Sequence, residues 1–376
     1  MRDVYLIKSV AHAARLLATF EAPGEILSPR ELVARTGLSR GIVHRLLYTL
    51  EDEHIIEKLE NNQYRSLFSK SANKHWKIGY GAPGIDTLFT RTVAESLRVE
   101  VDRCGELEML TLDHRYNPAV TLRNAEQFIR ERVRLVIEYQ IDEEVGAMIA
   151  HAYHDAHIPV IAVNNPQPGA TYFGANNYEA GLLGGRYLGK WARTHWRGEV
   201  DQIMMLELRR AGVVPKTRMT GMAQGIREIL GPGSKNIPLV RLDGDGNFDA
   251  SWRVVRKHLR SMRSTRTLVG AMNDNSALGA LRAFEEAGRS DQCAVLGQNG
   301  SPEARQELRK KNSRLVGSVA YFPETYGERL VRLALDLLNR RFVAPAVLTQ
   351  HQLLTANNVD HVYPNDPMLG FAAKLS

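Results

Sequence analysis

Residues 268–281 read Leu268-Val-Gly-Ala-Met-Asn-Asp-Asn-Ser-Ala-Leu-Gly-Ala-Leu281, and their pattern indicates the fold class. The apolar run that ends at Met272 predicts a buried strand, and the small residues from Ala277 onward predict a helix. A polar triplet that begins at Asn273 separates the two. In α/β sheets, ligands bind outside the carboxyl ends of the strands. Because the Asn273 amide can both donate and accept hydrogen bonds, the stretch predicts a site for a polyhydroxylated ligand.

The same alternation of strands and helices extends over residues 76–364. Ten segments read as strands: 77–81, 108–112, 135–139, 159–163, 171–174, 202–206, 239–242, 267–272, 294–297 and 314–319. Alternation at this spacing predicts βαβ units and parallel sheets. So many strands exceed a comfortable single sheet, so we expect two α/β lobes with a cleft between them.

Length and composition leave several classes of protein open. A chain of 376 residues with 44% hydrophobic residues can bury the cores of about two or three domains. The net charge of +7 permits a nucleic-acid partner without requiring one, and residues 1–74 hold eleven Lys/Arg against nine Asp/Glu. The two cysteines, Cys104 and Cys293, lack the spacing of a disulfide framework or a metal site, so we expect reduced thiols.

The N-terminal residues predict three helices followed by a hairpin. A helical apolar stripe covers about residues 6–20, and Ser28-Pro-Arg-Glu31 is a capping box for a helix over 29–36. Gly37 is expected to end that helix in the left-handed conformation, and Ser39 to begin the third. The strands expected over 55–59 and 63–67 would then form a wing. The outer face of the third helix carries residue types that reach phosphates and base edges, although a helical protein-interaction module is the alternative.

The stretch Leu32-Val-Ala-Arg-Thr-Gly-Leu-Ser-Arg-Gly-Ile-Val-His-Arg-Leu-Leu-Tyr-Thr-Leu50 also resembles the winged helix-turn-helix of IclR-type regulators, over about residues 6–66. The resemblance implies that residues 1–68 bind DNA. A departure is Gly41, where the family commonly has small polar residues. The candidate DNA contacts are Ser39, Arg40, Gly41, His44, Arg45, Tyr48, Lys58 and Arg65.

After a polar linker at 69–75, residues 76–364 resemble type I periplasmic sugar-binding proteins and the effector domains of LacI-type regulators. The motif Asn273-Asp-x-x-Ala-Leu-Gly-Ala-Leu281 carries this resemblance. It implies one lobe from residues 76–164 and 322–349, and a second from 165–321 and 350–364, followed by a tail at 365–376. The chain is then expected to cross between lobes near Asn164, Tyr321 and Gln350.

The resemblance also implies a ligand site. Asn273 matches a sugar-binding asparagine, while Lys216, Arg218, Asp142 and Phe248 stand where the family has sugar-binding basic, acidic and aromatic residues. Other positions depart from the sugar pattern: Asn299 replaces a carboxylate, and Tyr321 replaces a hinge glutamine. The remaining candidates are Asp86, Thr87 and Phe89, which would stand in for paired aromatics, and Asn164. These departures favour a small polar ligand without specifying a sugar.

Other motifs do not predict an enzyme, a cofactor or a metal site. Residues 184–190 have phosphate-loop spacing, but they lie within a predicted helix, where the glycines favour close packing. Asp243-Gly-Asp-Gly-Asn247 begins like a calcium loop, but Phe248 takes its sixth position. His151, His154 and His157 recur on one helix without an evident fourth ligand.

The sequence therefore predicts a ligand-responsive transcription regulator that binds operator DNA and a sugar or polyol, with a homodimer expected. The alternatives are a cytoplasmic solute-binding protein and an α/β enzyme acting on a sugar. No apolar signal core or membrane span is evident, so the cytoplasm is the expected location.

Overall fold

The computed structural model describes residues 7–20, 25–67, 76–84, 87–263 and 265–366. The chain divides into two compact units, Met1–His75 and Trp76–Ser376. The predicted linker and all but the first two residues of the predicted tail lie outside the described residues. Among the residues described, no helix has the length and hydrophobicity needed to cross a membrane.

The first unit is a three-helix domain with a small antiparallel sheet. Its elements are α1 (Lys8–Leu17), β1 (Ile26–Leu27), α2 (Pro29–Thr36), α3 (Arg40–Asp52), β2 (Ile56–Leu59) and β3 (Gln63–Ser66). The strand order is β1-β3-β2, so the predicted hairpin gains a third strand. Apolar side chains from all three helices and the hairpin form one buried cluster, which includes Leu16, Leu32 and Leu47.

Local capping explains where α2 begins and ends. The Glu31 carboxylate accepts from Ser28 N at 2.8 Å, and Ser28 Oγ accepts from Glu31 N at 3.3 Å, which completes the predicted capping box. Gly37 follows the helix at φ 66°, the left-handed region that favours glycine. Ser39 stands at the cap position of α3, but its side chain makes no capping hydrogen bond.

The second unit contains two six-stranded sheets, one in each lobe, which confirms the predicted α/β class. Lobe 1 is built on an all-parallel sheet in the order β14-β8-β7-β6-β4-β5. Its strands are β4 (Trp76–Ala82), β5 (Leu107–Asp113), β6 (Val136–Glu138), β7 (Val160–Val163), β8 (Thr171–Ala175) and β14 (Ala346–Thr349). Its helices are α4 (Leu88–Cys104), α5 (Pro118–Arg130), α6 (Glu143–Asp155) and α12 (Tyr326–Leu338).

Lobe 2 is built on the order β10-β9-β11-β12-β13-β15, in which β15 alone is antiparallel to its neighbour. Its strands are β9 (Gln202–Glu207), β10 (Leu239–Asp243), β11 (Thr267–Ala271), β12 (Cys293–Asn299), β13 (Leu315–Ala320) and β15 (Gln352–Leu354). Its helices are α7 (Asn177–Trp196), α8 (Val213–Leu230), α9 (Phe248–Leu259), α10 (Asp274–Glu286), α11 (Pro302–Arg309) and α13 (Val359–Val362).

The first crossing between lobes differs from the prediction. The chain leaves lobe 1 after Ala175, whereas the expected position was near Asn164. The reason is that β8 pairs with β7 on one side and with β14 on the other, which keeps it in the sheet of lobe 1. The chain returns between β13 and α12, and it crosses again between β14 and β15.

Helices α7 and α8 pack with their backbones in contact. A Cβ at Gly185 would lie 2.0 Å from the Met222 carbonyl oxygen, and one at Gly189 would lie 2.7 Å from Ile229 Cβ. Only glycine leaves room for this approach, so the glycines of 184–190 serve helix packing. The phosphate-loop alternative is not supported, because the segment lies inside α7.

Candidate functional site

A cavity of about 350 Å³ lies between the two lobes, where loops after the strands of both sheets meet. Polar side chains line it from both sides, together with the rings of Phe89, Tyr116 and Tyr139. Seven of the predicted ligand contacts line this cavity: Thr87, Phe89, Asn164, Arg218, Asn273, Asn299 and Tyr321. Its size and mixed lining suit a small polar molecule.

Asn273 lies at the end of β11 and caps α10. Its Oδ1 accepts from Ser276 N at 2.9 Å, and its Nδ2 donates to the Gly246 carbonyl oxygen at 2.8 Å. An amide can make about four hydrogen bonds, so one N–H and one lone pair remain for a ligand. The internal bonds also hold the amide in one orientation.

Arg218 projects from α8 and is held by neutral acceptors. Its Nε and Nη2 donate to Asn177 Oδ1 at 3.1 and 2.7 Å, and its Nη1 donates to the Met272 carbonyl oxygen at 2.8 Å. The guanidinium carbon lies 4.9 Å from the centre of the Tyr321 ring. Burial raises the pKa of Tyr321 to about 12, so its hydroxyl stays protonated and donates to Gln298 Oε1.

Asn164 organises the wall of the cavity in lobe 1. It follows β7 with φ 61°, its Nδ2 donates to the Tyr139 hydroxyl at 3.0 Å, and its Oδ1 accepts from the Tyr326 hydroxyl at 3.3 Å. Because the Tyr139 hydroxyl oxygen accepts this bond from Asn164, its own O–H remains available to donate to another acceptor. This arrangement offers a hydrogen-bond donor to a molecule in the cavity.

Asp274 is buried behind the lining of lobe 2. Its Oδ1 accepts from Ser318 Oγ and its Oδ2 from Ser301 N, both at 2.6 Å. Burial raises the pKa of this carboxyl to about 7, although the hydrogen bonds from Ser318 and Ser301 act in the opposite direction. The carboxyl thereby ties the start of α10 to β13 and to the loop before α11.

The first unit presents one face of α3 to solvent. Arg40, Gly41, His44 and Arg45 are exposed, and the Tyr48 side chain is 71% exposed. The opposite face, with Val43, Leu47 and Leu50, is buried. The side chains of the exposed face therefore do not contribute to the core of the domain.

Comparison with known proteins identifies both units. The family model described as "Periplasmic binding protein domain" matches residues 78–341, and the "IclR helix-turn-helix domain" matches residues 9–60. The chain belongs to the periplasmic binding protein domain family. It joins this domain to an IclR helix-turn-helix, which confirms the two resemblances predicted from sequence. These families are of DNA-binding and sugar-binding types and are not enzymes.

Known relatives support this assignment. The ribose import binding protein RbsB of Salmonella typhimurium is 24% identical over 250 residues, which cover 65% of this chain and 79% of that protein. RbsB of Haemophilus influenzae is 23% identical over 264 residues, covering 69% and 84%.

Solved structures share the fold. A solute binding protein from Bacillus halodurans with bound myo-inositol has a TM-score of 0.67 and 22% identity, covering 78% of this chain and 99% of its own. One from Agrobacterium vitis with bound allitol has a TM-score of 0.68 and 19% identity, covering 78% and 99%.

Three of the predicted ligand contacts do not line the cavity. Lys216 is exposed on α8, because it precedes Arg218 by two residues and so lies about 200° away around the helix. Asp142 instead caps α6, where its Oδ1 accepts from Glu144 N and Val145 N. Phe248 begins α9 and is 39% exposed. Asp86 lies outside the described residues.

The two basic residues of the predicted wing have different surroundings. Lys58 is exposed, with its Nζ 6.0 Å from the centre of the Tyr64 ring. Arg65 pairs with Glu57, its cross-strand neighbour, at 2.5 Å. Arg65 therefore does not present the free cation that was predicted for a nearby phosphate.

Several residues of the cavity were not predicted from the sequence. Asn165 is 5% exposed; its Nδ2 donates to the Ile141 carbonyl oxygen at 2.8 Å, and its Oδ1 has no partner among the described residues. Arg210 also lines the cavity, and its Nε lies 2.8 Å from Asp245 Oδ1. Tyr116 and Tyr139 complete the aromatic part of the wall in lobe 1. Asn165 could have been predicted, because it follows Asn164 directly after a buried strand.

His151 and His154 of α6 line a separate cavity with Pro159 and Gly169, and His157 also lines it. His157 does not lie on the same helix as predicted, because α6 ends at Asp155 and His157 has a left-handed φ of 55°. Throughout the described part of the chain, no group of three or more His, Cys, Asp or Glu side chains is arranged to hold a metal ion. His151 instead lies 3.6 Å from Asp155, one helical turn away.

Proposed function

We propose that the protein is a DNA-binding transcription regulator that senses a small sugar-like or polyol metabolite. The observation that carries the proposal is the presence, in one chain, of a polar cavity between two lobes and a helix-turn-helix with an exposed third helix. The similar proteins include a ribose import binding protein and solute binding proteins with bound myo-inositol and allitol, and these three compounds are the first to test. Because its partner is DNA, we place the protein in the cytoplasm.

In this proposal the metabolite joins the two lobes. Arg218, Asn273 and Asn299 of lobe 2 bind ligand oxygens, while Asn164, Asn165, Thr87 and the Tyr139 hydroxyl meet it from lobe 1. Phe89 and Tyr321 contribute packing surface. A ligand held by both walls has higher affinity for the closed cleft and shifts the population toward that state.

Closure would reach the DNA through a dimer. We propose a homodimer, since operators with two half-sites match a two-fold symmetric protein. Half-sites lie about one helical turn apart, so a modest change in the spacing of the two recognition helices alters DNA affinity. Ser39, Arg40, Gly41, His44, Arg45, Tyr48 and Lys58 are the proposed DNA-contacting residues.

Ligand binding is tested by thermal-shift screening of the full chain against ribose, myo-inositol, allitol and sugar phosphates. A ligand at about 100 times its dissociation constant stabilises the folded protein by about 2.7 kcal/mol. We expect the shift to persist in His154→Ala, because His154 lies in the other cavity, and to vanish in Asn273→Ala. Equal loss of the shift in both variants would contradict the assigned site.

DNA binding is tested separately by selecting binding sites from genomic fragments with the full chain. Arg45→Ala should weaken binding and, where Arg45 meets a phosphate, lower the salt slope by about 0.9. The matched control is Arg98→Ala, which removes the same charge from α4 of the ligand-binding unit. Absence of salt-dependent DNA binding would favour the alternative of a solute-binding protein.

A further inference from the structure

Helix α7 holds both the side chain and the backbone of Arg218. Asn177, its first residue, is 4% exposed and accepts from Arg218 Nε and Nη2 through one oxygen. Since a guanidinium has only donors, this contact also determines which end of the Asn177 amide faces it. One turn later, a Cβ at Gly181 would lie 1.9 Å from the Arg218 carbonyl oxygen, so the two backbones touch there.

The other end of the Asn177 amide faces lobe 1. Its Nδ2 lies 3.5 Å from the hydroxyl of Tyr172 on β8, and that hydroxyl donates to the Ala175 carbonyl oxygen at 2.9 Å. The chain makes its first crossing between lobes directly after Ala175. Asn177 therefore joins the cavity-lining Arg218 of lobe 2 to the last residues of the chain before that crossing.

Arginine has a long side chain with many rotamers, and ordering it upon binding costs affinity. Two bonds to Asn177 and one to Met272 fix this guanidinium in the structure, which leaves its remaining N–H groups for the cavity. If Asn177 served only the stability of the fold, its substitution would lower the melting temperature without changing the affinity for the ligand.

We propose that Asn177 is a positioning residue: it orients Arg218 for the ligand and ties it to the strand before the first crossing. The inference rests on the proposed ligand-binding function, because it assigns Arg218 to the ligand. It predicts that Asn177 affects binding through Arg218 and not through the stability of α7.

The experiment uses the full chain with three single variants at the start of α7, the variant Arg218→Lys, and the double variant Asn177→Leu/Arg218→Lys. Asn177→Leu removes the acceptor at similar size, whereas Asn177→Asp keeps an acceptor for Arg218. The matched control is Asn176→Ala: Asn176 caps α7 by accepting from Glu179 N at 3.2 Å. Calorimetry with D-ribose and with myo-inositol measures binding. NMR follows the Nε–H signal of Arg218, assigned by its loss in Arg218→Lys.

We expect Asn177→Leu to weaken binding of the probe sugar about tenfold, and Asn177→Asp to stay within about threefold of the wild type. Asn176→Ala should lower the melting temperature and leave the dissociation constant unchanged. In an Arg218→Lys background, Asn177→Leu should change affinity by less than about twofold, because the two residues act as one unit. In Asn177→Leu the Arg218 Nε proton should exchange with water about tenfold faster.

Unchanged sugar affinity in Asn177→Leu would overturn the inference, and so would weakened affinity with an unchanged Arg218 signal. If neither sugar binds the wild-type protein, the proposal that these sugars are ligands is contradicted, independently of the role of Asn177. The NMR comparison then still decides whether Asn177 positions Arg218: equal exchange rates in wild type and Asn177→Leu would refute it.

Discussion

Among the described residues that line the cavity, Asn165 carries a buried amide oxygen without a hydrogen-bond partner. Leaving a buried acceptor unpaired costs about 1–3 kcal/mol. Its Oδ1 has no partner within the described chain, while its Nδ2 is bonded to Ile141. A rotation of the amide group that brings Oδ1 to the cavity would let it accept from a ligand hydroxyl or amine and would remove that cost.

We therefore predict that Asn165→Leu raises the dissociation constant of the ligand about tenfold. The matched control is Gln167→Leu. Gln167 is 7% exposed, its two polar side-chain atoms also have no partner in the part of the chain that the structure describes, and it does not line the cavity. Calorimetric titration of both variants with the ligand found by screening tests the prediction. Equal affinity in the two variants would show that burial alone, and not ligand contact, characterises Asn165.

The pKa of about 7 at Asp274 predicts a dependence of stability on pH. Because burial favours the protonated carboxyl, the folded chain holds this proton at pH values where the unfolded chain has released it. The contribution of Asp274 to the free energy of unfolding is therefore largest at low pH and falls as pH rises toward about 7.

The variant Asp274→Asn removes this titration. We predict that the free energy of unfolding of the wild type falls relative to that of Asp274→Asn by about 2–3 kcal/mol between pH 5 and 8. Urea unfolding at several pH values measures the difference. A difference that stays constant over this range would contradict the raised pKa.

At the scale of the element, the two helices of the helix-turn-helix are capped differently. Ser28 and Ser39 hold equivalent positions at the starts of α2 and α3, but only Ser28 accepts a backbone hydrogen bond. The same substitution at the two positions therefore isolates the value of that bond.

Ser28→Ala should destabilise α2 by about 1 kcal/mol, which corresponds to about fivefold faster amide exchange over residues 29–36. Ser39→Ala should have a much smaller effect on the exchange of α3. Hydrogen exchange of the full chain without DNA, read by mass spectrometry, measures both. An equal change in the two helices would mean that the hydrogen bond to Ser28 Oγ does not govern the stability of α2.

The strands show how accurately sequence patterns predict secondary structure elements. All ten strands predicted in the second unit are present within two residues of their predicted bounds. Strands β1, β14 and β15, which have two to four residues each, were not predicted from the sequence. Such short edge strands carry too few alternating residues for a period to be recognised.

At the scale of the whole molecule, the proposed regulator must obey thermodynamic reciprocity. If ligand changes the affinity for operator DNA by some factor, DNA changes the affinity for ligand by the same factor. We predict a factor of about 5–150. Calorimetric titration of ligand with and without saturating operator, compared with DNA binding with and without ligand, measures both. Unequal factors would mean that the two sites are not linked by one equilibrium.

The features of the fold that could be predicted from the sequence alone all depend on local interactions. A capping box, a glycine after a helix, a helical apolar stripe and a strand–loop–helix at residues 268–281 all depend on residues a few positions apart. Their outcome is therefore encoded in short stretches, and both the α/β class and the helix-turn-helix could be predicted from them.

Only the tertiary structure decided which polar side chains face the cavity and where the chain changes lobe. Lys216 and Arg218 are two residues apart, yet only Arg218 lines the cavity, because the direction of α8 is set by its packing on α7. Likewise β8 stays in lobe 1 because β14, more than 170 residues later, pairs with it. Such contacts join residues distant in the chain, so no local pattern of side chains records them.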